Sequence, residues 1–258
     1  MPSISFNWFA DPSAWAALAT LTMLEIVLGI DNIVFISILV DRLPETQRKS
    51  ARLLGLSAAM GTRLLLLFSI SWIMGLTTPL LHIPVAPFLW DMIPTAAEHA
   101  GQLAISWKDI ILIGGGGFLI WKSTHEIHGK IDHAEESHHV SKTTATFGAV
   151  LVQIALLDII FSLDSVITAV GMADHVTVMA LAIILAVGVM MAASGMVSRF
   201  VSENPSIKML ALSFLIMIGM ALFAEGFHFH IPKGYIYFAM LFSLGVEILN
   251  IKAKTRAR

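Results

Sequence analysis

The features that most restrict what this chain can become are its long apolar runs. Seven stretches, at about residues 14–40, 53–76, 107–125, 146–171, 176–198, 207–227 and 234–251, approach or exceed the roughly 20 apolar residues that carry a helix across a bilayer. Composition agrees: 57% of residues are hydrophobic and 13% charged, with a mean hydropathy of +0.81, beyond ordinary globular usage. The expected fold is an all-α membrane protein with seven transmembrane helices in one membrane domain. The third run is the weakest. It opens with Lys108 and Asp109, which belong at an interface, and contains Gly114 to Gly117, which either permits close helix contact or distorts the helix. Between the second and third runs, PLLHIPVAPFLWDMIPTAAEHAGQ holds Pro79, Pro84, Pro87 and Pro94 and reads as an interfacial surface loop with Trp90 at the membrane boundary.

The first run is expected to stay in the mature chain. MPSISFNWFADPSAW has no Lys or Arg and carries Asp11, whereas a secretory leader begins with basic residues. There is no cysteine, which removes disulfides and thiolate ligands, and the net charge of -2 offers no nucleic-acid footprint. Basic residues set the orientation, because they collect on the cytoplasmic side. Arg42, Arg48, Lys49 and Arg52 follow run one; Lys122, Lys130 and Lys142 follow run three; Arg199 and Lys208 follow run five; Lys252, Lys254, Arg256 and Arg258 end the chain. These are 13 of the 16 Lys and Arg. Lys108 and Lys233 fall on the other side, and Arg63 lies inside run two. The N-terminus is expected outside and the C-terminus in the cytoplasm of a multi-pass inner (plasma) membrane protein.

Within run one, EIVLGIDN (residues 25–32) carries carboxylates where an ionised group costs roughly 2.5–3.5 kcal/mol at a bilayer centre. A second copy, LDIIFSLDSV, opens the second half. An offset of 133 residues aligns Glu25 with Asp158, Asp31 with Asp164, Asn32 with Ser165 and Gly29 with Ser162. An odd number of crossings separates the copies, so runs one to three and four to six become inverted three-helix repeats. The repeats occupy 1–131 and 132–230, with the seventh helix and basic tail at 231–258. Such repeats hold ion sites at their interface near the midplane. Antiparallel packing sets Glu25 level with Asp164 and Asp31 level with Asp158. Positions six apart differ by about 120° around a helix and about 9 Å along it. Two arrangements therefore stand open: the helices unwind near Gly29 and Ser162, or the acids form two stacked layers. Either makes a hard oxygen cage of Glu25, Asp31, Asn32, Asp158, Asp164 and Ser165, suited to Mn²⁺, Ca²⁺ or Mg²⁺.

The blocks EIVLGIDNIVFIS, GGGGFLIWKSTHEIH, LLDIIFSLDSVITAVGM and IPKGYIYFAMLFSLGVEILN together resemble the TerC family of integral membrane proteins, related to the LysE transporter superfamily. The resemblance covers nearly the whole chain. It implies Mn²⁺ efflux, a link to tellurium-resistance clusters in some bacteria and, in some members, metal supply to exported proteins. It also implies that the family's acidic pair is Glu25 with Asp31 in one repeat and Asp158 with Asp164 in the other, with Asn32 and Ser165 beside them. Longer relatives append cytoplasmic domains, and regulation through such domains is not expected here.

Plainer readings compete at several positions. Arg63, alone among basic residues deep in a run, is expected to neutralise a membrane acid, and a moving counter-charge is the alternative. The 14 methionines read as apolar filler, since a thioether is a poor partner for hard cations. Glu225 and Glu247 lie near span ends, where solvation suffices. HEIHGKIDHAEESHHVSK (125–142) holds His125, His128, His133, His138 and His139 with Glu126, Asp132, Glu135 and Glu136. It reads as a cytoplasmic connector with an auxiliary ion-collecting role, since its spacing matches no fixed ligand motif.

The expected function is a secondary transporter that exports a divalent cation, Mn²⁺ foremost, from a midplane carboxylate site, with proton exchange through the same acids. The ion is a substrate; no permanent cofactor and no enzymatic activity are expected. The alternative is a membrane chaperone that supplies metal to exported proteins beside the secretion machinery. An intramembrane aspartyl protease fits poorly, because Leu157 precedes Asp158 and Gly-Ile-Asp stands where Gly-x-Gly-Asp is needed.

Overall fold

Apolar character this continuous leaves helices as the economical way to satisfy the backbone, and the computed structural model is mostly helical. It describes residues 7–69, 74–84, 101–135, 146–172, 175–229 and 231–256. Among them are seven long helices: α1 (Pro12–Val40), α2 (Glu45–Phe68), α3 (Trp107–Glu135), α4 (Phe147–Met172), α5 (Val176–Glu203), α6 (Pro205–Gly226) and α7 (Lys233–Arg256). Five, namely α1, α2, α5, α6 and α7, contain segments long and apolar enough to cross a membrane by length and composition, and Phe147–Leu163 of α4 is a shorter apolar stretch.

The chain divides into two compact units. The first comprises Met1–Gly75 and Ser141–Glu203, the second Leu76–Val140 and Asn204–Arg258. Each takes helices from both halves of the sequence.

In the first unit α1 packs along α5 and α2 along α4. Gly55 of α2 faces Ile154 of α4, while Thr62 and Arg63 reach Asp158, so α2 and α4 run parallel. The buried stripe of α2, Ala51, Gly55, Ala59 and Arg63, keeps a four-residue spacing and therefore one helix face. Small residues on that stripe let α4 approach and bring Arg63 to bear on it. The start of α1 is fixed by Asp11, whose carboxylate accepts from Ser13 N at 2.9 Å and Ser13 Oγ at 2.8 Å. Those bonds, side chain first, hold the Asp11 carboxyl below its usual range, as charge-assisted capping does. Trp8, Phe9 and Trp15 cluster beside it, where an aromatic belt belongs.

In the second unit α3 lies antiparallel along α6. A Cβ on Gly116 would fall 2.5 Å from the Gly219 carbonyl oxygen and 2.7 Å from Phe223 N, and one on Gly219 would fall 2.9 Å from the Gly116 carbonyl oxygen. The glycine run thus serves close helix contact, and α3 continues through it unbroken. We expect Gly116→Val to separate α3 from α6 and to cost about 1–3 kcal/mol or more as overpacking against rigid backbone. A Tm unchanged from wild type in detergent would contradict this contact.

Two sequence expectations change. The proline-containing segment is not wholly loop, since β1 (Pro79–Pro84) pairs antiparallel with β2 (Gln102–Ser106); a proline at each end of β1 is compatible with an edge strand. Trp90, Pro87 and Pro94 lie outside the described residues. The connector expected from residue 125 begins instead as helix, because α3 extends to Glu135 through a segment rich in helix-compatible polar residues without proline. At the head of α3, Asp109 is buried against the protein at 6% exposure. Its Oδ2 accepts from Ser106 N at 2.8 Å and Ser106 Oγ at 2.6 Å, and its own N–H donates to Ser106 Oγ at 3.3 Å. This reciprocal arrangement is a capping box at the head of α3.

Candidate functional site

The site grows from one residue that a membrane helix should avoid. Arg63 is 4% exposed, and a buried guanidinium needs partners for both its charge and its fork of donors. Its Nη1 donates to Glu25 Oε2 of α1. Its Nε and Nη2 donate to Asp158 Oδ1 of α4 at 3.1 and 2.9 Å. Glu25 and Asp158 are themselves buried, at 5% and 4% exposure. Two carboxylates and one guanidinium leave a formal charge of −1 inside the first unit, where it is costly.

The two acids are not equally satisfied. Asp158 Oδ2 lies 3.0 Å from Thr62 Oγ1 and 3.2 Å from Ser162 Oγ, so both of its oxygens have donors. Among the described residues Glu25 accepts from Arg63 alone. Glu25 also borders a narrow cavity, sized for about one water, whose other walls are Leu21, Leu67, Val166, Met179, Ala182 and Ile183. A carboxylate facing an otherwise apolar cavity is the more available of the pair.

Further along the same face of α1, Gly29 is covered by the Met190 side chain of α5, which occupies the space of a Cβ. Met190 is 3% exposed. Asn32, seven residues from Glu25 and so on one helix face with it, is 9% exposed, and its Nδ2 has no hydrogen-bond partner among the described residues.

Of the expected ligands, the structure brings Glu25 and Asp158 together and buries Asn32 on the same helix face. The expected levels of Glu25 with Asp164 and Asp31 with Asp158 give way to another pairing, because Arg63 stands where it reaches Glu25 and Asp158 at once. Asp31, Asp164 and Ser165 lie within α1 and α4, and their side chains fall outside the described residues. Both helices continue through Gly29 and Ser162 without unwinding. Among the described residues no group of three or more His, Asp or Glu stands ready to hold a metal.

In the His-rich segment, His125 stacks on Trp121 with centroids 5.9 Å apart, and His128 lies one turn further along α3. Glu126 is half-buried and has an interaction partner. The side chain of His133, and His138 and His139, lie outside the described residues. Sequence reasoning missed Thr62, Met190 and the hydrogen bond from Ser162 to Asp158. Thr62 adjoins the one intramembrane arginine, and Ser162 sits one turn after Asp158, which were the available signals.

Apolar helices of spanning length, with an ionic cluster buried among them, define a multi-pass integral membrane protein. The chain belongs to the TerC family of integral membrane proteins, whose family model matches residues 10–258. It is 54% identical over 249 residues to a UPF0053 protein of Haemophilus influenzae, covering 96% of this chain and 98% of that one. It is 52% identical over 246 residues to the UPF0053 inner membrane protein YgdQ of Escherichia coli strain K12, covering 95% and 96%. It is 48% identical over 244 residues to the UPF0053 inner membrane protein YoaE of the same strain, covering 95% of this chain and 44% of that one. No solved structure matches the chain.

Proposed function

We propose that the protein is a secondary transporter that exports a divalent metal cation, Mn²⁺ foremost, through an alternating-access site centred on Glu25 and Asp158. The observation that carries this reading is the buried pair itself. One acid comes from each copy of the repeated motif, and Glu25 additionally faces a cavity. Structural glue alone gives no reason to repeat the acids in both halves. Asp31 with Asn32, and Asp164 with Ser165, continue the same path on opposite sides of that pair, with Gly29 keeping α1 slim beside Met190. The His residues of 125–139 collect ions in an auxiliary role.

The helix pairing supports inverted repeats. Exchanging α1 with α4 and α2 with α5 turns the α1–α5 pair into the α4–α2 pair, and both pairs are observed. Parallel α2 and α4, with antiparallel α3 and α6, fit a chain that crosses the membrane seven times. The membrane we assign is the inner membrane, which the printed names of two E. coli relatives state for those proteins. Single cysteines replacing Asn7 and Lys252 are expected to label from opposite faces, Asn7 from outside. Labelling of both from one face would remove the odd number of crossings.

Hard oxygen ligands discriminate Mn²⁺, Ca²⁺ and Mg²⁺ only weakly, so the ion is tested directly. Inverted vesicles supplied with each labelled ion are expected to accumulate Mn²⁺ in preference to the other two, and faster when the lumen is acid, as proton exchange through the acids requires. Accumulation of none of the three would end the exporter reading in favour of a metal-supply role.

A further inference from the structure

We propose that the Arg63 guanidinium is a tethered cation that takes the metal's place between Glu25 and Asp158 when the site is empty, so that a divalent ion binds by displacing it. The inference rests on the exporter reading and adds what the carrier holds on its return. Its basis is the way the carboxylate oxygens are occupied. Arg63 holds Glu25 Oε2 and Asp158 Oδ1. Thr62 and Ser162 hold Asp158 Oδ2. Glu25 Oε1 accepts from none of the described residues and offers a metal its first contact; a metal that then uses Asp158 as well competes with Arg63 for the same two carboxylates, and a divalent ion and a guanidinium crowded into one buried seat repel strongly.

The same geometry supplies a reason for the arginine. Two unpaired carboxylates would be costly to carry empty through the hydrocarbon region; Arg63 offsets one of the two charges and leaves the other for a returning proton to neutralise. Its planar fork bridges acids from two different helices, and its flexible stem lets the head group leave without moving α2. A small cavity, sized for about one water, lies on the Glu25 side. The cavity walled by Leu21, Leu67, Val166 and Met179 ends on that carboxylate, and Leu67 sits one turn from Arg63 on α2. An arginine serving only as structural glue would share the contacts but would not compete with metal.

The test uses purified full-length protein, wild type, Arg63→Gln and Arg63→Lys, reconstituted in liposomes with Mn²⁺ as the probe. Equilibrium binding, Mn²⁺/Mn²⁺ exchange and net export are measured. Removing a competitor that holds most empty sites should tighten Mn²⁺ binding by about tenfold or more. Arg63→Gln should keep exchange, which needs no empty return, and lose most net export; Arg63→Lys should recover part of the net export. Because Arg63→Gln could fail to fold, a second measurement uses the unmodified sequence. With isotope-labelled arginine guanidinium, adding Mn²⁺ should shift an arginine infrared band. Unchanged affinity with exchange and net export falling together, or no band shift on Mn²⁺ binding, would overturn the assignment of Arg63. Absence of Mn²⁺ binding and flux in wild type would overturn the exporter reading and this inference with it.

Discussion

Arg63→Ala is expected to lower the stability of the protein by about 3–5 kcal/mol, the usual cost of removing one partner from a buried ion cluster. The size follows from what is left behind. Glu25 and Asp158, at 5% and 4% exposure, would face each other without the guanidinium that both now contact, and neither could reach water without disturbing α1, α2 and α4. Removing the whole cluster should behave differently. A triple variant, Arg63→Met with Glu25→Met and Asp158→Leu, leaves no buried charge in the cluster and is expected to melt close to wild type, since well-packed hydrophobic replacements of buried ion clusters are often neutral or stabilising. It should nevertheless be inactive in transport. Thermal unfolding in detergent checks both variants, and an Arg63→Ala protein as stable as wild type would contradict the buried cluster.

Asp31→Asn and Asp164→Asn are each expected to reduce metal export to background while leaving protein in the membrane. The two occupy equivalent positions in the repeated motif, six residues beyond Glu25 and Asp158, a rise of about 9 Å on helices that stay unbroken. On the proposed path that separation puts one acid on either side of the Glu25 and Asp158 pair, because α1 and α4 run antiparallel, and an amide in place of either carboxylate removes a full charge from the path. Deleting residues 132–139, by contrast, should alter the concentration dependence and leave some export. Vesicle uptake normalised to membrane protein measures all three. Full activity in both well-expressed aspartate variants would remove these carboxylates from the path.

What sequence could disclose followed from the range of each signal. Hydropathy is summed over whole segments, so the apolar runs emerged, and even α3, weakened by Gly114 to Gly117, forms a continuous helix. Its purpose in the glycines was open because helix contact and helix distortion share one composition; only the approach of Gly219 to Gly116 distinguishes them. The capping box of Ser106 and Asp109 was readable from its spacing, yet a charge before an apolar run suggests an interface first. The β1–β2 pairing was hidden because its strands are short, proline-bounded and separated in sequence. The acids themselves were conspicuous in an apolar context. Their partners were not, because the reach of Arg63 depends on the small-residue stripe of α2 against α4, a matter of tertiary packing. Aligning the motif copies alone therefore set Glu25 opposite Asp164, whereas the guanidinium draws Glu25 and Asp158 together.

The central claim is that the buried pair of Glu25 and Asp158 is a metal path and not only a structural ion cluster. The most direct test is Mn²⁺ flux by purified protein in liposomes, wild type against Glu25→Gln and Asp158→Asn, with each variant's fold checked by its elution and melting. Wild type is expected to move Mn²⁺ concentratively under an imposed proton gradient, and both folded variants to show flux at the level of empty liposomes. Wild-type flux that persists in folded Glu25→Gln and Asp158→Asn proteins would contradict that claim.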